Sequence, residues 1–193
     1  MLAKRLLRYI QIKSTPNPAC LKFLTDEQVL SEGTCDFADP KFASISPLAA
    51  EIFELPGVNR VFFAKDYVSV TKNEEVPWEA LQDTISSVIE QYFTEKRPIF
   101  TDDAPQEEDN YDSDSEVIQI IKEILEGRVR PHVQEDGGDI KFLGFDEETG
   151  VVSLELRGSC VGCPSSSATL KDGIEKMIMF YLPEVKGVRA VDN

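Results

Sequence analysis

The sequence predicts an α+β protein made of two small α+β domains joined by an acidic flexible linker. Residues 101–115 carry seven acidic and no basic side chains. With almost nothing apolar, this stretch cannot bury enough surface to offset its ordering entropy. On both sides of it, apolar residues switch between strand-like and helical spacing. We therefore expect a first domain at residues 8–100, a linker at residues 101–115 and a second domain at residues 116–193.

The composition and the net charge of the chain argue against several classes of function. The chain has 193 residues and a formal net charge of −15, which argues against nucleic-acid binding because the phosphate backbone selects basic surfaces. No apolar run approaches the ~18 residues of a transmembrane helix, so no membrane association is predicted. Of the four cysteines, two are isolated and two form Cys160-Val-Gly-Cys163. This usage does not resemble a secreted disulfide framework and favours a reducing compartment.

The first domain is predicted to contain four strands and two helices. Its β-rich runs lie at Tyr9–Lys13, Ala19–Leu24, Val58–Ala64 and Tyr67–Thr71. Residues 14–18, rich in proline, are interpreted as a break between the first two strands. Ser46 is the expected cap of a helix that begins at Pro47. A second helix follows from the apolar face formed by Trp78, Leu81, Ile85, Val88, Ile89 and Tyr92.

The second domain has the predicted order α-β-β-α-β. Its first helix begins at a capping-box pattern, Ser113 and Glu116, and is expected to end at Pro131. Asp136–Asp139 is predicted to be a tight turn, because its two adjacent glycines allow positive φ. The second helix is expected to open at Pro164. The strands are placed at Ile140–Phe145, Val151–Arg157 and Gly187–Val191.

The Cys160–Cys163 pair is the one group of residues in the sequence that predicts a chemical role. Its spacing places two thiols within reach of one metal centre. Structural zinc needs four ligands, and beyond the cysteines the chain offers one histidine, His132. A thioredoxin-like redox site is expected early in its domain, whereas thirty residues follow Cys163. Two inert thiols would not need the glycine-bearing loop at 158–164.

An iron–sulfur cluster satisfies the ligand count if two chains meet at this loop. Around a two-fold axis they would supply four thiolates, the usual complement for a cluster. The N–H groups of the helix that opens at Pro164 are expected to face the anionic cluster and to lower the thiol pKa values. From the residues alone, cluster ligation ranks ahead of thiol–disulfide exchange. A pure interaction module with a structural Cys loop ranks third.

Longer patterns then give the chain a family resemblance. Residues 130–139 (RPHVQEDGGD) and 156–166 (LRGSCVGCPSS) resemble the C-terminal domain of NifU and of Nfu-type scaffolds. A second set of segments resembles the N-terminal domain of the Nfu proteins of mitochondria and some bacteria. These segments are residues 14–18 (STPNP), 21–23, 46–49, 57–58 and 66–72. The resemblance covers nearly the whole chain outside the linker.

The resemblance implies a cluster scaffold or carrier rather than an enzyme. It implies a homodimer that bridges a [4Fe-4S] cluster through Cys160 and Cys163, although spacing alone does not distinguish [2Fe-2S]. The cluster would be received from upstream assembly proteins and passed to recipient apo-proteins such as lipoyl synthase. Cys20 and Cys35 fall on no ligand motif. The implied location is the mitochondrial matrix, with the bacterial cytoplasm as the alternative because no full-length transit peptide is visible.

Overall fold

A computed structural model describes residues 10–101, 115–163 and 167–192. Contacts divide them into two compact units. The first contains residues 10–13 and 21–101, and the second contains residues 14–20, 115–163 and 167–192. Each unit mixes helices and strands, which confirms the α+β class with two small domains. The linker and the Ser113 cap fall on residues outside the described ranges.

The domain boundaries remain predictions, and the contact grouping differs from them in one segment. Residues 14–20 group with the second unit although they precede most of the first unit in sequence. Their grouping follows from side-chain and backbone contacts rather than from chain connectivity. The segment is therefore part of the second unit.

The described residues of the first unit form a five-stranded sheet. Its strands are β1 (Gln11–Ser14), β2 (Cys20–Leu24), β3 (Cys35–Phe37), β4 (Val58–Phe63) and β5 (Tyr67–Lys72). Their spatial order is β1-β2-β5-β4-β3. A 3₁₀ turn (Pro40–Ile45), α1 (Pro47–Phe53) and α2 (Trp78–Thr94) complete the unit.

The two helices of the first unit follow the sequence pattern. The Ser46 hydroxyl accepts a hydrogen bond from the Ala49 N–H at 3.3 Å, so the predicted cap is confirmed. Helix α2 presents the predicted apolar face to the core. Leu81, Ile85, Ile89 and Tyr92 are fully buried, and Trp78 and Val88 pack at the edge.

The second unit contains two helical regions and a three-stranded sheet within the described residues. The elements are α3 (Glu116–Ile124), a π-helical turn (Leu125–Val129), α4 (Arg130–Glu135), β6 (Gly138–Asp146), β7 (Val151–Gly158), α5 (Ser167–Tyr181) and β8 (Gly187–Asp192). Strand β7 is central, antiparallel to β6 and parallel to β8. Because parallel neighbours require a crossover, α5 carries the chain from β7 to β8.

The first helical region does not end at Pro131, so that prediction was wrong. In the π turn the N–H of Arg130 donates to the Leu125 carbonyl, five residues back. Pro131 then lies in the first turn of α4, and the helix runs on to Glu135. Proline has no N–H, and it is tolerated near the start of a helix. The extra turn brings Val133 into the core.

From the position of the hydrophobic core of the second unit we expect a fragment of residues 116–193 to fold without the rest of the chain. Every buried residue of this hydrophobic cluster lies between Ile121 and Val188. A fragment of residues 116–193 should therefore give a cooperative urea transition by circular dichroism and still take up a cluster, although domains this small are marginally stable. An unfolded fragment would show that the two domains share a core and that the boundary is misplaced.

Of the helices within the described ranges, none combines the length and the apolar content needed to cross a membrane.

Candidate functional site

The loop that carries Cys160 and Cys163 follows the end of β7 and is tied to the turn before β6. The N–H of Ser159 donates to the Gly137 carbonyl at 3.3 Å, and the Ser159 hydroxyl donates to the Asp136 carbonyl at 2.7 Å. The N–H of Cys160 donates to the carbonyl three residues earlier, also at 3.3 Å. These bonds fix the start of the loop against the Asp136–Asp139 turn.

The two adjacent glycines of that turn have different roles. Gly137 has a φ of 87°, which agrees with the predicted tight turn. Gly138 is required for space, because a Cβ atom there would lie 2.5 Å from the Cys160 Sγ and 2.8 Å from the Arg157 carbonyl oxygen. The Cys160 thiol therefore packs directly against the backbone of β6.

Cys160 and Cys163 line the same cavity, whose volume is about 700 Å³. Their exposed fractions are 4% and 2%. The walls come from the π turn, α4, α5 and the 14–20 segment, and include Val129, Val133, Ile174, Met177 and Pro16. The loop thus brings both predicted ligands to one largely apolar space, where thiolates would be shielded from water.

His132 also lines this cavity. Across the described ranges, however, no three or more His, Cys, Asp or Glu side chains come together in a geometry that could hold a metal ion. Cys35 lies in β3 of the first unit and is half-buried. Ligation by Cys160 and Cys163 remains a prediction that the cavity makes geometrically reasonable.

Burial raises the pKa of the Cys160 thiol to about 12, and the negative charges of Asp139 and Asp136 act in the same direction. Asp139 is held in place by Arg130, whose Nε donates to its carboxylate at 3.0 Å. The expected lowering of the thiol pKa is therefore wrong for Cys160. At neutral pH this group is a protonated thiol, and a metal ion that binds its sulfur must displace the proton. Residues 164–166, the expected helix opening, lie outside the described ranges.

Asn17 contacts the Cys loop from the 14–20 segment. Its side-chain Nδ2 donates to the Ser159 carbonyl at 3.2 Å and to the Val161 carbonyl at 3.0 Å. The residue is 2% exposed. Cys20, in the same segment, is 1% exposed and close enough to Cys160 to add to the rise of its pKa.

The sequence does not predict the role of Asn17, because residues 14–18 indicate a break between strands and a family resemblance but no contact with the Cys loop. The hydrogen-bond partners lie 142 and 144 residues further along the chain. No local pattern reports a contact of that separation. An asparagine flanked by two prolines predicts a turn, and the family resemblance of residues 14–18 marks the segment, but neither signal identifies its hydrogen-bond partner.

Family models match both halves of the chain. The model described as scaffold protein Nfu/NifU N terminal matches residues 10–96. The model described as NifU-like domain matches residues 121–189. Together these matches cover well over half of the sequence.

Individual proteins support the same assignment. The chain is 46% identical over 190 residues to NifU-like protein 5, mitochondrial, of Arabidopsis thaliana, an alignment that covers 97% of this chain and 69% of that protein. It is 47% identical over 184 residues to the NFU1 iron-sulfur cluster scaffold homolog, mitochondrial, of Homo sapiens, covering 95% and 72%. The chain therefore belongs to the Nfu/NifU family of iron–sulfur cluster scaffold proteins.

Proposed function

We propose that two copies of this chain hold a [4Fe-4S] cluster between them through Cys160 and Cys163 and pass it to recipient apo-proteins. The observation that carries this proposal is the single cavity onto which both buried cysteines open. One chain offers two thiols from this loop, and a cluster is usually held by four thiolates, so a second copy completes the ligand set. The relative from Homo sapiens, named as an iron–sulfur cluster scaffold, supports the identity of the cargo.

Transfer would proceed by stepwise exchange of thiolate ligands. A thiolate of the recipient protein replaces Cys160 or Cys163 on iron, and the displaced sulfur takes up the proton that the recipient's thiol has lost. The raised pKa of Cys160 favours this direction, because its released sulfur is most stable as the protonated thiol. Because of this raised pKa, protons compete with the cluster for the Cys160 sulfur at any pH below about 12, neutral pH included.

Thiol–disulfide exchange is disfavoured by the same site. The attacking species in that reaction is a thiolate with access to the partner disulfide. Cys160 is buried and its pKa is raised to about 12. Members of the family are cluster scaffolds or carriers rather than catalysts, so this chain is not an enzyme.

The partners and location follow from the same proposal. A carrier must receive its cluster from an upstream assembly protein and deliver it to apo-proteins that require one; the family resemblance suggests lipoyl synthase among the recipients. The relatives from Arabidopsis thaliana and Homo sapiens are named as mitochondrial. These names support a mitochondrial location, and within the mitochondrion we propose the matrix.

Cluster binding is expected to be coupled to dimerisation. Anaerobic reconstitution of the full chain should give a broad absorption band in the blue and about four irons and four sulfides per two chains. Sedimentation should show a shift toward dimer that a chelator reverses, because the shared ligands stabilise the associated form.

Two outcomes would contradict the proposal as a whole, and a third would contradict the cluster type alone. A monomeric form with full cluster content would mean that further ligands lie on the same chain, with His132 the first to test. A featureless visible spectrum together with turnover of disulfide substrates would favour the oxidoreductase instead. Reconstituted protein with two irons and two sulfides per dimer would retain the scaffold function and change the cluster type to [2Fe-2S].

A further inference from the structure

We propose that Asn17 is a positioning residue for the cluster site. Its side-chain amide binds the carbonyls on both sides of Cys160 and thereby fixes where the Cys160 sulfur lies in the cavity. The inference deepens the proposed function and rests on it, because positioning matters only if Cys160 is a cluster ligand.

The side-chain amide of Asn17 makes hydrogen bonds that hold the Cys loop and that orient the amide itself. The two donor bonds of Nδ2 go to the carbonyls of Ser159 and Val161, at 3.2 and 3.0 Å. The Oδ1 atom accepts the N–H of Ala19 at 3.0 Å, which sets the orientation of the amide group. Because Asn17 is 2% exposed, water does not compete freely for these bonds.

The segment that carries Asn17 is held by its own hydrogen bonds. The Thr15 hydroxyl accepts the Asn17 N–H at 3.2 Å and lies within hydrogen-bonding distance of the Asn17 and Cys20 carbonyls, at 2.9 and 3.0 Å. The N–H of Cys20 also donates to the Asn17 carbonyl, at 2.9 Å. A backbone fixed in this way presents the side-chain amide at a constant place, which is what positioning requires.

The hydrogen bonds of Asn17 complement those that the Cys loop makes within its own turn. The N–H groups of Cys160 and Val161 are bound within the turn, each to the carbonyl three residues earlier, at 3.3 Å. The carbonyls of Ser159 and Val161 receive their donors from Asn17. Removing the amide would leave the buried Ser159 carbonyl and the partly buried Val161 carbonyl without these bonds, and the loop would relax toward water.

The test compares Asn17→Ala with Asn59→Ala in the full chain. Asn59 is exposed on β4 of the first unit and serves as the matched control. In the metal-free protein, hydrogen exchange of the peptide amides at 159–161 should accelerate about tenfold in Asn17→Ala, the effect expected for losing hydrogen bonds of this kind. Protection in β7 and β8 should be unchanged, as should the whole Asn59→Ala protein.

The reconstituted protein supplies the readout that a merely structural role would not move. In Asn17→Ala the visible circular dichroism of the cluster should change, and its release to a chelator should be about tenfold faster, since one misplaced ligand weakens the site. Asn17→Asp is the second variant, because it keeps the acceptor for the Ala19 N–H and loses the donors. It takes the place of Asn17→Ala if urea unfolding shows that the alanine protein is not folded.

The exchange rates and the cluster-release rates together support or overturn the positioning role of Asn17. Faster exchange at 159–161 together with faster cluster release supports positioning by Asn17. Unchanged exchange overturns it, and so does faster exchange with unchanged cluster spectrum and release, since the contact would then be structural only. If the unmodified protein takes up no cluster, the proposed function fails, and the positioning role fails with it. The exchange measurement then still shows separately whether Asn17 holds the loop.

Discussion

Cys163→Ser is expected to abolish stable cluster binding, and Cys160→Ser is expected to do the same. Each substitution removes two of the four thiolates from a dimer, and a hydroxyl is a poor replacement because the ligand must be deprotonated. Iron and sulfide analysis after anaerobic reconstitution measures the loss. The variants should remain folded, since serine is close to cysteine in size.

Cys35→Ser is the control for this pair, because Cys35 is half-buried in the sheet of the first unit. Its cluster content should match the unmodified protein. Cys20→Ala should also keep the cluster nearly intact, because Cys20 lies on no ligand motif. Normal iron and sulfide content in Cys163→Ser would refute the ligand assignment.

Gly138→Ala is expected to destabilise the second unit and to disrupt cluster binding together. The new methyl group would meet the Cys160 Sγ at 2.5 Å and, more seriously, the Arg157 carbonyl oxygen at 2.8 Å. Backbone at this distance cannot turn away as a side chain can, so the start of β6 must move away from the end of β7 and from the Cys loop that follows it. Overpacking of this kind costs about 1–3 kcal/mol, which urea unfolding would measure.

The matched control is Gly187→Ala at the start of β8. A Cβ atom there would come no nearer than 3.5 Å to a neighbouring atom, the Glu175 Oε2, and Gly187 is not among the residues that line the cavity. Gly187→Ala should therefore unfold at nearly the same urea concentration as the unmodified protein and retain its cluster. A Gly138→Ala protein as stable as the unmodified chain, with normal iron content, would show that the loop tolerates the displacement.

The sequence alone determined the elements whose cause is local. The face of α2 followed from apolar spacing, and the start of α1 followed from a serine followed by proline. Long alternating runs located β6 and β7, and the Cys160–Cys163 spacing singled out the loop between β7 and α5. In each case the physical signal lies within a few residues of the feature that it predicts.

Tertiary structure decided the features whose cause lies elsewhere in the chain. Strand β3 is three residues long and exists through its pairing with β4, with the buried ion pair of Asp36 and Arg60 between them. After the π turn the helix continues past Pro131, although a proline in the sequence predicts a helix end. Neither outcome can be predicted from local propensity, because long-range pairing and packing supply the stabilising free energy.

At the candidate site, too, the sequence determined some features and the tertiary structure determined others. Sequence identified the two thiols, but the direction of the Cys160 pKa depends on burial and on carboxylates more than twenty residues away. The role of Gly138 depends on how closely β6 approaches the Cys loop. The hold of Asn17 on that loop joins residues 142 positions apart. Desolvation, close packing and long-range hydrogen bonds arise only when the chain is folded, and for that reason the sequence located this site without revealing what surrounds it.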